Sequence, residues 1–246
     1  MELCEFFTQH PRAALAFSGG VDSSYLLWAA LDAGAEIRPY FVKTPFQPQF
    51  ELEDAKRLCR ELGVSLTVLP MELPAAVLKN PKDRCYQCKH ALFGRLWEQV
   101  QTDGFSLLLD GTNASDDPVD RPGMRALGEL SVLSPLRLCG VTKAQVREQS
   151  KKAGLFTWDK PAYACLATRF PVGMQITEQG LLKIEQAEDL LFRLGFTDFR
   201  VRFYGEAARI QVPVDQMDRL IARREEILSA LAPRVQGVCL DLEGRP

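Results

Sequence analysis

The chain reads as an α/β protein, a parallel doubly wound sheet followed by a small C-terminal α+β domain, and three observations carry that reading. From Arg12 to about Leu138, strand-like and helix-like segments alternate. The strands there are short apolar runs, as strands covered on both faces are. Beyond Thr177 the pattern changes to strands that alternate polar with apolar residues. At 246 residues the chain can bury a substantial core, and the composition shift divides it into domains at 1–160 and 161–246.

The first strand is the apolar stretch from Arg12, and the helix after it repeats apolar residues at Leu26, Leu27, Ala30 and Leu31. Ile37 to Val42 reads as a second strand, Glu51 to Leu62 as a helix ended by Gly63, and Val64 to Leu69 as a third strand. A helix from about Lys89 to Gln101 is closed by Gly104, and Phe105 to Asp110 is the next strand. In such a sheet ligands bind beyond the carboxyl ends of the strands, so Ser18 and Asp110 are expected along one edge. Thr142 to Lys152 reads as a capped helix, and Gly154 to about Gly173 as a linker. Helices are expected over Glu178–Leu194 and from Asp215 to about Leu231, with strands over Phe199–Tyr204, from Ala208, and over Val235–Leu242.

The chain is organised around Ser18-Gly-Gly-Val-Asp-Ser-Ser24, where a strand feeds a glycine turn that opens a helix. Two glycines let successive N–H groups converge, and the helix N-terminus adds partial positive charge. Ser18, Ser23 and Ser24 add hydroxyls, while Asp22 can cap the helix or contact a metal held by the anion. The result is a cradle suited to phosphate. A bare glycine pair would equally suit an ordinary strand-turn-helix junction. The full string resembles the S-G-G-x-D-S pyrophosphate loop of the N-type ATP pyrophosphatases. No G-x-x-x-x-G-K-[ST] or G-x-G-x-x-G string is present, which argues against kinase-like γ-transfer and dinucleotide binding.

Hydrophobic content of 46% and charged content of 25% are ordinary for a globular chain. A net charge of −2 gives no basic field for a nucleic-acid backbone, although arginines are dense between Arg193 and Arg224. Neither an export signal nor a span of membrane length is legible, so a cytoplasmic protein that meets neither nucleic acid nor membrane is expected, as is a homo-oligomer. Seven cysteines without an export signal argue against a disulfide framework.

Cys85-Tyr-Gln-Cys88 can bring two thiolates to one metal or form a reversible disulfide. Cys165, flanked by Lys160 and Arg169, is the candidate third ligand. Three cysteines with an open position suit an iron–sulfur cluster better than structural zinc. Cys4, Cys59, Cys139 and Cys239 sit in helix-like or apolar contexts typical of buried thiols. The polar segment from Gly111 to Gly123 suits either a solvated loop or a nucleotide loop.

Taken together, Ser18–Ser23, Arg84-Cys-Tyr-Gln-Cys-Lys89, Asp110-Gly-Thr-Asn113, Asp120-Arg-Pro-Gly123, Cys165-Leu-Ala-Thr-Arg-Phe-Pro171 and Arg200-Val-Arg202 resemble the LarE family of ATP-dependent sulfur transferases, which act in making a nickel-pincer nucleotide cofactor. The resemblance implies an adenine nucleotide α-hydrolase-like PP-loop fold in which ATP meets Ser18, Gly19, Gly20, Asp22, Ser23, Asp110, Gly111 and Thr112 with Mg²⁺. It implies that a carboxylate of pyridinium-3,5-biscarboxylic acid mononucleotide is adenylated and that sulfur then displaces AMP; the alternatives are another adenylating enzyme with this loop, a tRNA thiolase or an amide-forming synthetase, or a non-catalytic nucleotide- or zinc-binding protein. Some members sacrifice one cysteine, matching Cys165. Others carry three thought to hold a [4Fe-4S] cluster; Cys85, Cys88 and Cys165 match that type, with sulfide or another sulfur donor as partner. Arg169, Glu188, Arg200 and Arg202 fall where the family binds the substrate's anionic groups or a metal, and Thr168 stands where some members have serine.

Overall fold

The computed structural model describes residues 1–116, 123–233 and 235–245. The chain divides into two compact units, residues 1–77 with 83–160 and residues 78–82 with 161–246.

In the first unit the order is α1 (Leu3–Gln9), β1 (Arg12–Ala16), α2 (Val21–Asp32), β2 (Glu36–Lys43), α3 (Gln49–Glu61), β3 (Thr67–Pro70), α4 (Ala75–Leu78, whose last residue belongs to the second unit), α5 (Arg84–Thr102), β4 (Leu108–Leu109), α6 (Gly123–Glu129), α7 (Pro135–Leu138) and α8 (Lys143–Lys152). The four strands are all parallel, in the order β3-β2-β1-β4. Successive side chains of a strand leave on opposite faces. On β1, Ala13 and Leu15 join a cluster with Phe6, Leu26, Leu58 and Val146, while Ala14 joins one with Phe93, Leu96, Val100 and Leu127. Helices therefore cover both faces, as a doubly wound sheet requires.

Two strands are shorter than their apolar runs, for one reason. After α3, the N–H of Gly63 (φ +71) bonds to the Arg60 carbonyl and that of Val64 to the Cys59 carbonyl. After α5, the same pair of bonds runs from Gly104 to Gln101 and from Phe105 to Val100. This is the Schellman stop, in which the residue after glycine is still tied to the helix. Val64 and Phe105 are thus committed to helix ends, and β3 begins at Thr67 and β4 at Leu108. Helix α5 differs the other way: it starts at Arg84 rather than near Lys89, so Cys85 lies in its first turn and Cys88 opens its second.

The second unit holds a 3₁₀ turn (Leu166–Arg169), α9 (Glu178–Arg193), β5 (Arg200–Tyr204), β6 (Ala207–Gln211), α10 (Met217–Ala222), α11 (Arg224–Leu231) and β7 (Val238–Leu240). Strand β6 pairs antiparallel with β5 and parallel with β7. Thr177 caps α9 by accepting the Gly180 N–H. The single helix expected from Asp215 to Leu231 is two. At the break the Arg223 N–H bonds three residues back to Leu220. Leu220, Ile227 and Leu231 keep a helical spacing and all are buried, so the apolar period runs through the break.

Candidate functional site

The Ser18–Ser23 loop is tied by its own short side chains. Ser18 N–H donates to Ser23 Oγ at 3.3 Å, the two hydroxyl oxygens are 3.0 Å apart, Ser23 Oγ donates to the Gly20 carbonyl at 3.2 Å, and Gly20 N–H donates to Ser18 Oγ at 3.3 Å. Gly20 is the N-cap of α2 and gives no side-chain cap. The opening N–H groups of a 12-residue helix and its dipole therefore meet a hydroxyl pair at one point. Gly19 has φ +69, and a Cβ there would stand 3.1 Å from the Glu51 carbonyl and 3.2 Å from Ala55. Glycine is required twice over, by dihedral and by space.

Parallel pairing of β1 with β4 brings the end of β4 beside this loop. A Cβ on Gly111 would lie 2.9 Å from the Ser23 nitrogen, so only glycine passes here. Asp110 accepts from Thr112 Oγ1 at 2.5 Å and from Ser134 Oγ at 2.5 Å, which aims its buried carboxylate. Asp22 pairs with Lys143 Nζ at 2.5 Å and accepts from Asn113 Nδ2 at 3.2 Å. A cavity of about 280 Å³ is lined here by Ser18, Gly20, Asp22 and Ser23, by Asp110, Gly111 and Thr112, by Tyr40–Val42 of β2, and by Lys89, Leu92, Phe93 and Leu96 of α5. Its lining mixes apolar side chains of β2 and α5 with hydroxyl, carboxylate, amide and ammonium side chains, the composition of a small-ligand site. The Gly19 carbonyl accepts from Lys160 Nζ at 3.3 Å. Burial pushes the Tyr40 phenol up to about 12, aided by its hydrogen bond to Asp103.

In the second unit, Arg169 and Glu188 form a fork-to-fork pair, Nε to Oε1 and Nη2 to Oε2 at 2.9 Å each. Glu188 also accepts the Val201 N–H at 2.8 Å and the Tyr163 hydroxyl. Arg169 Nη1 donates to the Ala164 carbonyl at 2.8 Å and to Thr168 Oγ1 at 2.7 Å, holding the turn that carries Cys165. Burial works against the Arg169 charge, but the bonds and charge of Glu188 outweigh it and raise its pKa above the arginine norm. Arg200, buried, donates to the Phe199 and Ala162 carbonyls at 2.5 Å each. Burial first, then the Arg169 charge, brings it down to about 10. Arg202 donates to Gln211 Oε1 at 2.7 Å and to the Thr168 carbonyl at 2.5 Å, and burial lowers it too. The strand register sets Arg202 opposite Arg209. Cross-strand like charges are unfavourable unless an anion or a partner offsets them.

All seven cysteines are thiols. Cys85 and Cys88, three apart on α5, share a helix face, and Arg84 Nη2 donates to Cys85 Sγ at 3.7 Å. Cys165 flanks the 3₁₀ turn of the second unit and is half-buried. Soft thiolates have the donor chemistry of an iron–sulfur group. Among the described residues, however, no three His, Cys, Asp or Glu side chains are gathered as a metal set. Asp120, Arg121 and Pro122 lie outside the described residues, while Gly123 opens α6 against the Lys89 side chain.

Lys143 and Ser134 are the groups at this site that the motifs do not mark. Lys143 lies 121 residues from Asp22, and its only local signal is the Thr142–Gln145 capping box that starts α8. No helix among the described residues is long and apolar enough to cross a membrane.

Residues 12–82 match a family model described as queuosine biosynthesis protein QueC. The chain is similar to an uncharacterized protein of Synechocystis sp., 35% identical over 98% of this chain and 92% of the relative. It is similar to an uncharacterized protein of Methanocaldococcus jannaschii, 30% identical over 96% and 91%. It is also similar to the pyridinium-3,5-bisthiocarboxylic acid mononucleotide synthase of Lactiplantibacillus plantarum, 31% identical over 95% of this chain and 86% of that one.

Proposed function

This chain belongs to the LarE family of ATP-dependent sulfur transferases, and from that premise we propose that it adenylates a carboxylate of pyridinium-3,5-biscarboxylic acid mononucleotide and converts it to a thiocarboxylate. The observation that carries the proposal is the cavity at the carboxyl edge of the sheet, where the serine pair, the α2 N-terminus and two aspartates converge. We assign residues 1–160 to ATP and residues 161–246 to the substrate and sulfur.

A carboxylate oxygen attacks the α-phosphorus of ATP, the bond to the β-phosphate oxygen breaks, and pyrophosphate leaves. The acyl-adenylate then has a good leaving group where the free acid has none. Ser18, Gly19, Gly20 and Ser23 present hydroxyl and N–H donors to the departing pyrophosphate, Gly111 and Thr112 border the nucleotide, and Asp22 and Asp110 would hold Mg²⁺. Mg²⁺ supplies charge neutralisation on the leaving group. A sulfur nucleophile attacks the acyl carbon and AMP departs. Arg200 and Arg202 bind the substrate's phosphate and carboxylates through planar forks, with Arg169 and Glu188 shaping that site.

Cys85, Cys88 and Cys165 would hold a [4Fe-4S] cluster, which when bound supplies a sulfide as donor. The soft-donor chemistry of these three thiols supports this assignment.

The test is the full chain with ATP, Mg²⁺ and the dicarboxylate mononucleotide, with and without sulfide. Pyrophosphate and AMP released in step with thiocarboxylate support the reading. ATP cleaved only to ADP and phosphate would overturn it. Anaerobic reconstitution with iron and sulfide, read by optical spectrum and iron count on the native chain and on Cys85→Ala, Cys88→Ala and Cys165→Ala, tests the cysteines. A spectrum lost in all three supports the cluster. Dehydroalanine at position 165 after one turnover assigns the sulfur to Cys165 itself.

A further inference from the structure

We infer that Lys160 is a positioning residue for the anion cradle: by holding the Gly19 carbonyl it turns the Gly20 N–H toward the bound pyrophosphate. The inference rests on the reading of Ser18–Ser23 as the ATP site. Lys160 Nζ donates to the Gly19 carbonyl at 3.3 Å and to Asp54 Oδ2 at 2.7 Å, and its side chain is 16% exposed. A trans peptide is planar, so its C=O and N–H point in opposite directions. With the Gly19 oxygen held by the ammonium, the Gly20 N–H is directed to the other side, where it meets Ser18 Oγ and where Gly20 lines the cavity. The left-handed Gly19, packed against α3, lets the peptide take this orientation.

The ammonium is delivered from a fixed base. The Lys160 N–H donates to the Thr157 carbonyl at 3.1 Å. Arg147 spans the segment, its Nη1 donating to the Trp158 carbonyl at 2.8 Å and its Nη2 to the Lys160 carbonyl at 2.9 Å. The Phe50 ring stands 5.4 Å from Nζ. Ordering a free lysine stem is entropically costly. Here the stem is already ordered, so the donor is aimed before the ligand arrives, the condition for preorganised electrostatic stabilisation.

An ion pair with Asp54 that serves only the fold would use the same contacts, and two ligands separate the alternatives. Calorimetric titration of the full chain with Mg–pyrophosphate and with adenosine is compared for wild type, Lys160→Met and Asp54→Asn. Lys160→Met is expected to weaken pyrophosphate at least about tenfold while adenosine stays within about twofold, and Asp54→Asn to keep pyrophosphate within about threefold. Wild-type pyrophosphate affinity in Lys160→Met overturns the inference. So do equal losses in both variants, or a joint loss of both ligands. Lys160→Gln carries the same readout if circular dichroism shows Lys160→Met unfolded. A wild-type chain that binds neither Mg–pyrophosphate nor ATP overturns the nucleotide reading itself, and the inference with it.

Discussion

Arg169 and Glu188 meet fork to fork inside the second unit, both arms at 2.9 Å, with side chains 0% and 1% exposed. Each is also the hub of other bonds: Glu188 takes the Val201 N–H, and Arg169 holds the Ala164 carbonyl beside Cys165. Breaking a buried pair from one side leaves a charge without compensation, at about 3–5 kcal/mol. Glu188→Gln is therefore expected to lose stability on that scale, measured by urea unfolding of the full chain. A double-mutant cycle with Arg169→Met should return a coupling above about 1 kcal/mol; additivity would mean that the pair is not a unit.

Glycine positions separate strain from function. Gly19→Ala and Gly34→Ala each force a left-handed alanine, at about 1–2 kcal/mol. Nothing lies within 4 Å of a Cβ at Gly34, while at Gly19 it meets α3. Gly34→Ala is expected to keep ATP turnover. Gly19→Ala is expected to lose about a hundredfold, because shifting the loop takes its N–H donors off their aim. Steady-state pyrophosphate release checks both.

Lys143 and Asp22 are about one-third and one-quarter exposed, so their ion pair adds less than about 1 kcal/mol to stability. Lys143→Met is expected to leave the urea midpoint nearly unchanged. It should lower kcat/KM for ATP about tenfold, since Asp22 loses the group that fixes its carboxylate. A large stability loss with unchanged kinetics would reverse this assignment.

Two buried groups set an alkaline limit. Burial pushes the Cys59 thiol from 9.0 up to about 12, and burial with the Asp103 hydrogen bond pushes the Tyr40 phenol from 10.0 up to about 12. Folded pKa values above the unfolded ones mean that the native state keeps protons which the unfolded chain has released. Stability is then full below about pH 9 and falls as pH rises toward 12. Urea midpoints across pH 8–11 should show this decline, and the double variant Cys59→Ala/Tyr40→Phe should flatten it. At pH 8, iodoacetamide should label exposed Cys4, Cys85 and Cys239 well before Cys59.

Much of this architecture was legible because the period of apolar residues and the positions of glycine are local properties. The alternation of segments specified a parallel sheet, the Ser18–Ser23 string specified a glycine turn at a helix N-terminus, and both are where the chain puts them. The boundaries were less legible. Val64 and Phe105 are apolar residues of strand type whose N–H groups are spent closing helices, and no periodicity distinguishes the two uses. The break at Arg223 is silent for the same reason, since Leu220 and Ile227 stay in phase across it.

Motifs are strings of neighbours, so the family and the glycine turn at a helix N-terminus could be read from the chain alone. Tertiary structure alone decided what the side chains touch. It set Lys143 on Asp22, Ser134 on Asp110 and Lys160 on the Gly19 carbonyl, contacts across 121, 24 and 141 positions that no local pattern encodes. It also made Arg169 and Glu188 a closed pair rather than two solvated charges. The reason is physical: a charge's role follows from its burial and its partner, and both are properties of packing.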